Sequence, residues 1–250
     1  MLRFFLRRLR GQMINFASYL GAMKQMLTLS LLCACLPLFG QMFFDAGIKG
    51  AYGPTLMYNQ NIFDDGEYDH VLTSGYGFGA KIGVHFASHH GFTFDYMNST
   101  SRQNFDLRGG GMHNYKWKHN DLLLMYRYSG NGAFVEIGPE ISFMSDVTSQ
   151  EVDVTPNFAD NYKSIVFGFG SYLIGSDLVT LQAGVRLHWA LDDMISEQGM
   201  ENNYPATGRP FPNYEKTKAT AGQFMLELNY AFGRFAKASC SHRWRLILFE

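Results

Sequence analysis

Hydrophobic positions alternate with small or polar ones along most of the chain, and the alternation is clearest over Thr73–Phe86. Successive side chains of a β-strand point to opposite faces, so this stretch is predicted to be one strand with two contrasting faces. A row of glycines is unusual on a face that meets water, but it fits the crowded inside of a narrow barrel. The apolar face carries Tyr76, Phe78, Ala80, Ile82, Val84 and Phe86, and the other face carries Gly75, Gly77, Gly79, Lys81, Gly83 and His85.

The same alternation predicts eight strands, each with one apolar face and one small or polar face. By this assignment, none of the eight apolar faces carries Asp, Glu, Lys or Arg. The fifth strand contains Pro139, which cannot donate a hydrogen bond to a neighbouring strand and is usually found at an edge or a bulge. The predicted strands cover residues 43–58, 73–86, 92–98, 115–128, 133–144, 164–174, 178–191 and 220–235.

The connections between these strands alternate between short and long. Residues 88–91, 129–132 and 175–177 combine Gly with Ser, Asn or Asp and predict tight hairpin turns. The other connections are long and polar, and the longest covers residues 192–218. Short turns at one end and long loops at the other are typical of outer-membrane barrels of bacteria.

A water-soluble eight-stranded barrel would also alternate, but its apolar face would point inward. The inside of an eight-stranded barrel is only just wide enough for its side chains, and the many Phe, Tyr and Leu side chains here would overfill it. Turned outward, they contact acyl chains, while glycines and a few charges fill the inside. The sequence therefore predicts an all-β fold, an eight-stranded antiparallel up-and-down transmembrane β-barrel, over residues 41–235.

Composition agrees with a barrel and excludes one class of function. Charged residues make up 17% of the chain, below the roughly 25% of an average soluble domain. Residues 1–40 hold five of the 21 Lys and Arg residues and none of the 22 Asp and Glu residues, so the rest of the chain is acidic. An acidic domain is not expected to bind nucleic acid.

The first 40 residues are predicted to be a signal peptide with an over-long N-terminus. Lys24 precedes an apolar run over residues 26–39, which is shorter than a membrane-spanning helix, and cleavage is expected near Gly40. In an alternative interpretation, residues 32–35 form a lipoprotein cleavage site that leaves Cys35 lipidated. Translation beginning at Met23 is a further alternative for the basic segment before it.

With these features, the chain resembles the small bacterial outer-membrane β-barrels of the OmpA-like and PorT-like family. The resemblance covers residues 41–235 and rests on the leader, the strands, the alternating links and the closing sequence N-Y-A-F-G-R-F, residues 229–235. It implies that the protein lies in the cell outer membrane, in contact with outer-membrane lipid. The barrel assembly machinery, which would read Phe235, is then a partner during biogenesis, and residues 236–250 are a short tail unless Phe249 is the terminal signal.

The resemblance also implies a kind of role. It indicates a structural or loop-mediated function in the envelope, with an envelope protein bound through the outer loops. Membership of a secretion or assembly complex is part of that expectation.

Charged residues on the inward faces are predicted to form a network of ion pairs that fills the barrel. Charges of both signs share a confined space there, and a buried charge is tolerated when it is paired. The alternative is a narrow gated pore in which these pairs rearrange. With His85 and Asp121 beside them, the predicted network consists of Asp45, Lys49, Lys81, Asp95, Arg127, Glu136, Glu140, Arg186 and Glu227.

An enzyme is the alternative from another class. His119 with Asp121, or His188 with Asp192 and Asp193, would activate water at the outer rim of a protease or a lipid A-modifying enzyme. Neither a G-x-S-x-G nor an H-E-x-x-H sequence accompanies them. We therefore expect a protein that is not an enzyme, with no catalytic residue, cofactor or metal.

Basic residues cluster around residues 109–111, within the second outer link. Arg102, Arg108, Lys116 and Lys118 would lie near the outer leaflet, where lipid phosphates are available. Ordinary surface charge explains them equally well at this point.

Overall fold

The computed structural model describes residues 42–86, 89–108, 110–176, 178–205, 211–232 and 245–246. The predicted signal peptide, Phe235 and Phe249 lie outside these residues. Of the predicted tail, only Arg245–Leu246 is described, as a short strand that pairs with Ile174 and Gly175.

The described part of the chain contains eight long strands, three short strands and two short helices. None of its helices is long and apolar enough to cross a bilayer. The long strands are β1 (Phe43–Tyr58), β3 (Thr73–Phe86), β4 (His90–Leu107), β5 (Gly111–Gly130), β6 (Ala133–Ser149), β8 (Asn161–Gly175), β9 (Val179–Ala190) and β10 (Lys218–Phe232). The short elements are β2 (Tyr68–Val71), β7 (Val152–Asp153), β11 (Arg245–Leu246), α1 (Gln60–Asp64), α2 (Glu197–Glu201) and a 3₁₀ helix at Thr155–Asn157.

The eight long strands close into a ring. Each pairs antiparallel with two neighbours in the order β1, β3, β4, β5, β6, β8, β9, β10, and β10 pairs with β1 to complete the circle. Short links join β3 to β4, β5 to β6 and β8 to β9 at one end, which we call the turn end. The opposite end is the cap end. The arrangement confirms the predicted eight-stranded antiparallel up-and-down barrel.

The second outer link differs from the prediction of a long loop. β4 and β5 continue as a paired hairpin up to Leu107 and Gly111, so the connection itself is only a tight turn. The outward row of this extension is polar, with Arg102 and Asn104 in β4. The alternation predicts an end at residue 98 because the contrast between the two faces disappears there, although the backbone pairing of β4 with β5 continues.

The two faces of the barrel are those that the alternation predicted. Outward-facing Ile48, Phe78 and Ile82 are 65%, 64% and 61% exposed, whereas inward-facing Lys49 and Lys81 are buried. The expectation that no outward row carries a charge is wrong for β5. Lys116 and Lys118 share the outward row of Leu122 and Leu124, on the part of the strand nearest the cap end.

Glycines of the inward rows make room for charged side chains of other strands. A Cβ on Gly168 of β8 would lie 2.7 Å from Cγ of Glu136 and 3.2 Å from Cγ of Arg186. Both distances are shorter than an ordinary carbon–carbon contact. Glycine at this position therefore allows its neighbours to fill the barrel.

Pro139 lies within β6 rather than at its end. The pairing of β6 with β5 is interrupted between Ile137 and Glu140, while Pro139 stays paired with Ile165 of β8. Since proline has no N–H to donate, β6 accommodates it by a local break in one of its two ladders.

The outer links fold into a cap with its own hydrophobic core, which the alternation did not predict. Asn59 caps α1 by accepting hydrogen bonds from the backbone of Asn61 and Ile62, and its amide donates to Oγ1 of Thr217 at 2.9 Å. The Tyr115 hydroxyl donates to the Pro205 carbonyl at 2.8 Å. The buried core of the cap consists of Met57, Ile62, Tyr68, Phe105, Tyr115, Trp117, Val147, Val154, Phe158, Tyr162, Ala190, Met194, Ile195 and Ala219.

Candidate functional site

The centre of the barrel is filled by a closed ring of ion pairs. Three cations and three carboxylates alternate in it, each touching two partners, and they come from β1, β4, β5, β6, β9 and β10. The successive N–O distances are Lys49–Asp95 2.5 Å, Asp95–Arg186 2.8 Å, Arg186–Glu136 2.6 Å, Glu136–Arg127 2.8 Å, Arg127–Glu227 3.1 Å and Glu227–Lys49 2.9 Å.

Lys81 and Asp45 extend this ring toward the turn end. Lys81 contacts Glu227 at 2.5 Å and Asp45 at 3.0 Å, and Nε2 of His85 lies 3.2 Å from Asp45. The complete group, which we call the lumen network, then holds four Lys or Arg cations and four carboxylates. Their side chains are at most 7% exposed. Equal numbers of opposite charges make the network neutral, which is the condition under which buried charges are tolerated.

The structure brings together eight of the nine residues predicted for the lumen network. Glu140 is the exception, because its partner is Nδ1 of His188 at 3.0 Å rather than a cation of the network. The sequence also did not reveal that Gln182 accepts a hydrogen bond from Arg127 at 2.8 Å.

A chain of polar hydrogen bonds lies between the lumen network and the cap. Oγ of Ser101 is 3.1 Å from Nε2 of His119, and Nδ1 of His119 is 2.5 Å from Oδ1 of Asp121. Ser99 donates to the other carboxylate oxygen of Asp121 at 2.7 Å. The enzyme alternative named His119 with Asp121 but missed both serines. The alternation of β4 could have indicated these serines, because both lie in its inward row and Ser99 lies directly opposite His119.

The serine, histidine and aspartate are ordered as in a nucleophilic triad, but little space adjoins them. The cavity beside them has a volume of about 20 Å³ and is lined by Glu140, His188 and Trp117 among others. That volume holds about one water molecule. Trp117 belongs to the buried core of the cap, so the cavity is covered on that side.

The second enzyme hypothesis is not supported by the positions of its residues. His188 pairs with Glu140, as described above, and not with Asp192 or Asp193. Asp193 instead accepts hydrogen bonds from the Tyr214 hydroxyl at 2.5 Å and from the backbone N–H of Thr217 at 3.1 Å. The pKa of Tyr214 is raised above its usual range, mainly by burial and secondly by the hydrogen bond to the Asp193 carboxylate. These contacts fix the longest outer link.

A second cavity of about 260 Å³ lies in the cap, between α1 and the longest outer link. Amide and aromatic side chains line most of it, among them Asn61, Asn203, Tyr204 and Tyr214. No cluster of three His, Cys, Asp or Glu residues suited to a metal ion occurs within the ranges that the structure describes.

Several solved outer-membrane proteins have a similar fold. Ail, the attachment invasion locus protein of Yersinia pestis, is 12% identical over 77% of this chain and 99% of that chain, with a TM-score of 0.41. OprG from Pseudomonas aeruginosa is 14% identical over 77% and 96%, with a TM-score of 0.42. Neisserial surface protein A is 13% identical over 76% and 97%, with a TM-score of 0.41. Similarity at this level carries no argument about what the chain does.

No family model matches this chain, and no curated protein matches it in sequence.

Proposed function

We propose that this protein is a non-enzymatic outer-membrane barrel of a double-membraned bacterium, which anchors a folded cap at the cell surface. The apolar outward row supports the membrane part of this proposal. On β10 it runs from Phe224 to Phe232. At about 3.4 Å per residue and a tilt of about 40°, this length covers about 21 Å along the membrane normal, close to the roughly 25 Å apolar band of such barrels. The turn end lies in the periplasm and the cap outside.

The closed interior is the observation that carries the proposed role. The lumen network fills the middle of the barrel, and the buried core of the cap covers its outer end. A conducting pore needs a continuous wet path, and an enzyme needs room for its substrate. A barrel whose middle is filled by the lumen network and whose outer end is covered by the cap is suited to holding the cap in place.

The cap itself supports a loop-mediated interaction. Phe63, Leu72 and Val152 expose more than half of their surface there, and the amide-lined cavity opens between α1 and the longest outer link. An envelope protein bound at this surface, in a PorT-like secretion or assembly complex, is the finer form of the proposal. The barrel assembly machinery inserts the chain during biogenesis. Proteins that co-purify with the detergent-solubilised barrel would identify the surface partner.

Purified protein in a planar lipid bilayer is expected to show no stepwise conductance at any applied voltage, because the lumen network blocks the path of ions. Single-channel recording tests this, with a known porin added afterwards to prove that the bilayer detects channels. Reproducible conductance steps from the wild-type chain, altered by Arg127→Ser, would instead support the gated pore.

The hydrolase alternative rests on Ser101, His119 and Asp121. We expect no labelling of the folded barrel by a fluorophosphonate probe, since the cavity beside Ser101 has no room for one. In-gel fluorescence of the wild type, Ser101→Ala and the matched control Ser99→Ala measures this. Labelling that disappears with Ser101→Ala and with His119→Gln, but not with the control, would establish a reactive serine and overturn the non-enzymatic role.

A further inference from the structure

The outward rows of β4, β5 and β6 change character in a fixed order toward the cap end. Tyr96 and Leu122 lie side by side in the last apolar row of β4 and β5, while on β6 the apolar row continues from Ile141 to Phe143. The next row contains Asn98 and Asn120, whose side chains hydrogen bond to each other at 2.9 Å. Two further rows follow, with Thr100, Lys118 and Asp146 in the first and Arg102, Lys116 and Thr148 in the second.

Arg102 and Lys116 are two cations placed directly opposite each other on neighbouring strands. Like charges in this position repel and destabilise a sheet. Within the described residues, the side chains of both make no ion pair or hydrogen bond with the protein. The nearby carboxylates are engaged elsewhere: Asp146 contacts Lys118 at 2.8 Å, and Asp153, opposite Thr148, accepts a hydrogen bond from Thr155.

The height of this pair places it among lipid headgroups. Arg102 lies four residues beyond Asn98 on β4. At about 3.4 Å per residue and a tilt of about 40°, that is about 10 Å above the edge of the apolar belt. Headgroups occupy the zone just outside the hydrocarbon of a bilayer. Long basic side chains that leave the barrel wall at this level reach the phosphates on its membrane side.

We propose that Arg102 and Lys116 bind a phosphate group of lipid A, the phosphorylated glycolipid of the outer leaflet. The inference rests on the proposed placement in the outer membrane. A phosphate between the two side chains turns their repulsion into two attractive contacts. Arginine is suited to this because its guanidinium donates two parallel hydrogen bonds to phosphate oxygens.

The experiment compares binding of lipid A by three forms of the full chain refolded into phosphatidylcholine vesicles. The forms are the wild type, Arg102→Gln/Lys116→Gln, and the control Arg108→Gln/Lys216→Gln, which removes two exposed cations from outside these rows. Arg108 is paired with Asp69 at 3.8 Å, and Lys216 lies in the longest outer link. Each is titrated with bisphosphorylated lipid A and with lipid A lacking both phosphates, and binding is followed by tryptophan fluorescence. We expect the first double variant to lose about tenfold or more in affinity, the factor for one lost charge-assisted contact. The control keeps the affinity of the wild type.

Three results would overturn the inference. The first is that the double variant binds lipid A as tightly as the control does. The second is that dephosphorylated lipid A binds as tightly as the phosphorylated form. The third is that inorganic phosphate at equal concentration displaces phosphorylated lipid A from the wild type. Insertion of the wild type without any preference for lipid A removes this inference alone. Failure of the wild type to insert into any vesicle removes the proposed membrane role as well.

Discussion

Replacing Glu227 with Gln is expected to lower the free energy of unfolding by about 3–5 kcal/mol, the cost of breaking a buried ion pair by removing one partner. Glu227 contacts three cations, Lys49, Lys81 and Arg127, and all four side chains are at most 1% exposed. The glutamine keeps the shape of the side chain but leaves the lumen network with one uncompensated positive charge. Urea unfolding of the protein refolded in lipid vesicles, followed by tryptophan fluorescence, measures the change.

The matched control is Asp146→Asn, which breaks the exposed ion pair with Lys118. An exposed pair contributes about 0–1 kcal/mol, so the control should unfold nearly as the wild type does. Equal losses for the two variants would show that the lumen network is hydrated and screened, and therefore that the interior of the barrel is not closed.

The second large effect concerns the outward face. Ile82→Arg is expected to cost about 2–4 kcal/mol, the penalty for a charge on the lipid face near the middle of the bilayer. Ile82 belongs to the apolar belt, and its neighbours across the ladder are Ala46 of β1 and Phe94 of β4. The same urea titration in vesicles provides the measurement.

Val152→Arg is a sharp control for this prediction. Val152 is 63% exposed and Ile82 is 61% exposed, so the two positions differ in what surrounds them rather than in their accessibility. Val152 lies in β7 of the cap, outside the belt, and arginine there should change stability by less than about 0.5 kcal/mol. If both substitutions were tolerated, the outward face would be in water and the barrel would not span a membrane.

Some properties of the site could be predicted because they depend only on alternation. The facing of Lys49, Lys81, Asp95 and Glu227 into the barrel follows from their place in two-residue repeats. Which of these charges touch each other depends on the register between strands, which places Lys49 opposite Glu227. It also depends on how side chains cross the barrel, since Lys81 lies opposite Asp95 but contacts Asp45 and Glu227. For this reason, alternation alone predicts Glu140 as a member of the network, whereas its partner in the structure is His188.

The hydrogen-bonded residues below the cap also divide into contacts that the sequence predicts and contacts that only the fold creates. His119 and Asp121 are two residues apart on one strand, so their contact could be predicted from the chain. Ser101 joins them only because β4 and β5 stay paired beyond the apolar belt. The outward pair of Arg102 and Lys116 was visible only as scattered basic residues until that pairing was known.

The sequence by itself determined the number of barrel strands, their two faces and an inward filling with charges of both signs, since a period of two is a local property that neighbouring residues impose. The tertiary structure alone decided the ring of ion pairs and the cap. The core of the cap joins Ile62, Tyr115, Phe158 and Met194, which lie in four separate links or strands. Its helices have five residues each, too few to leave a periodic signal, and they are held by packing between distant segments.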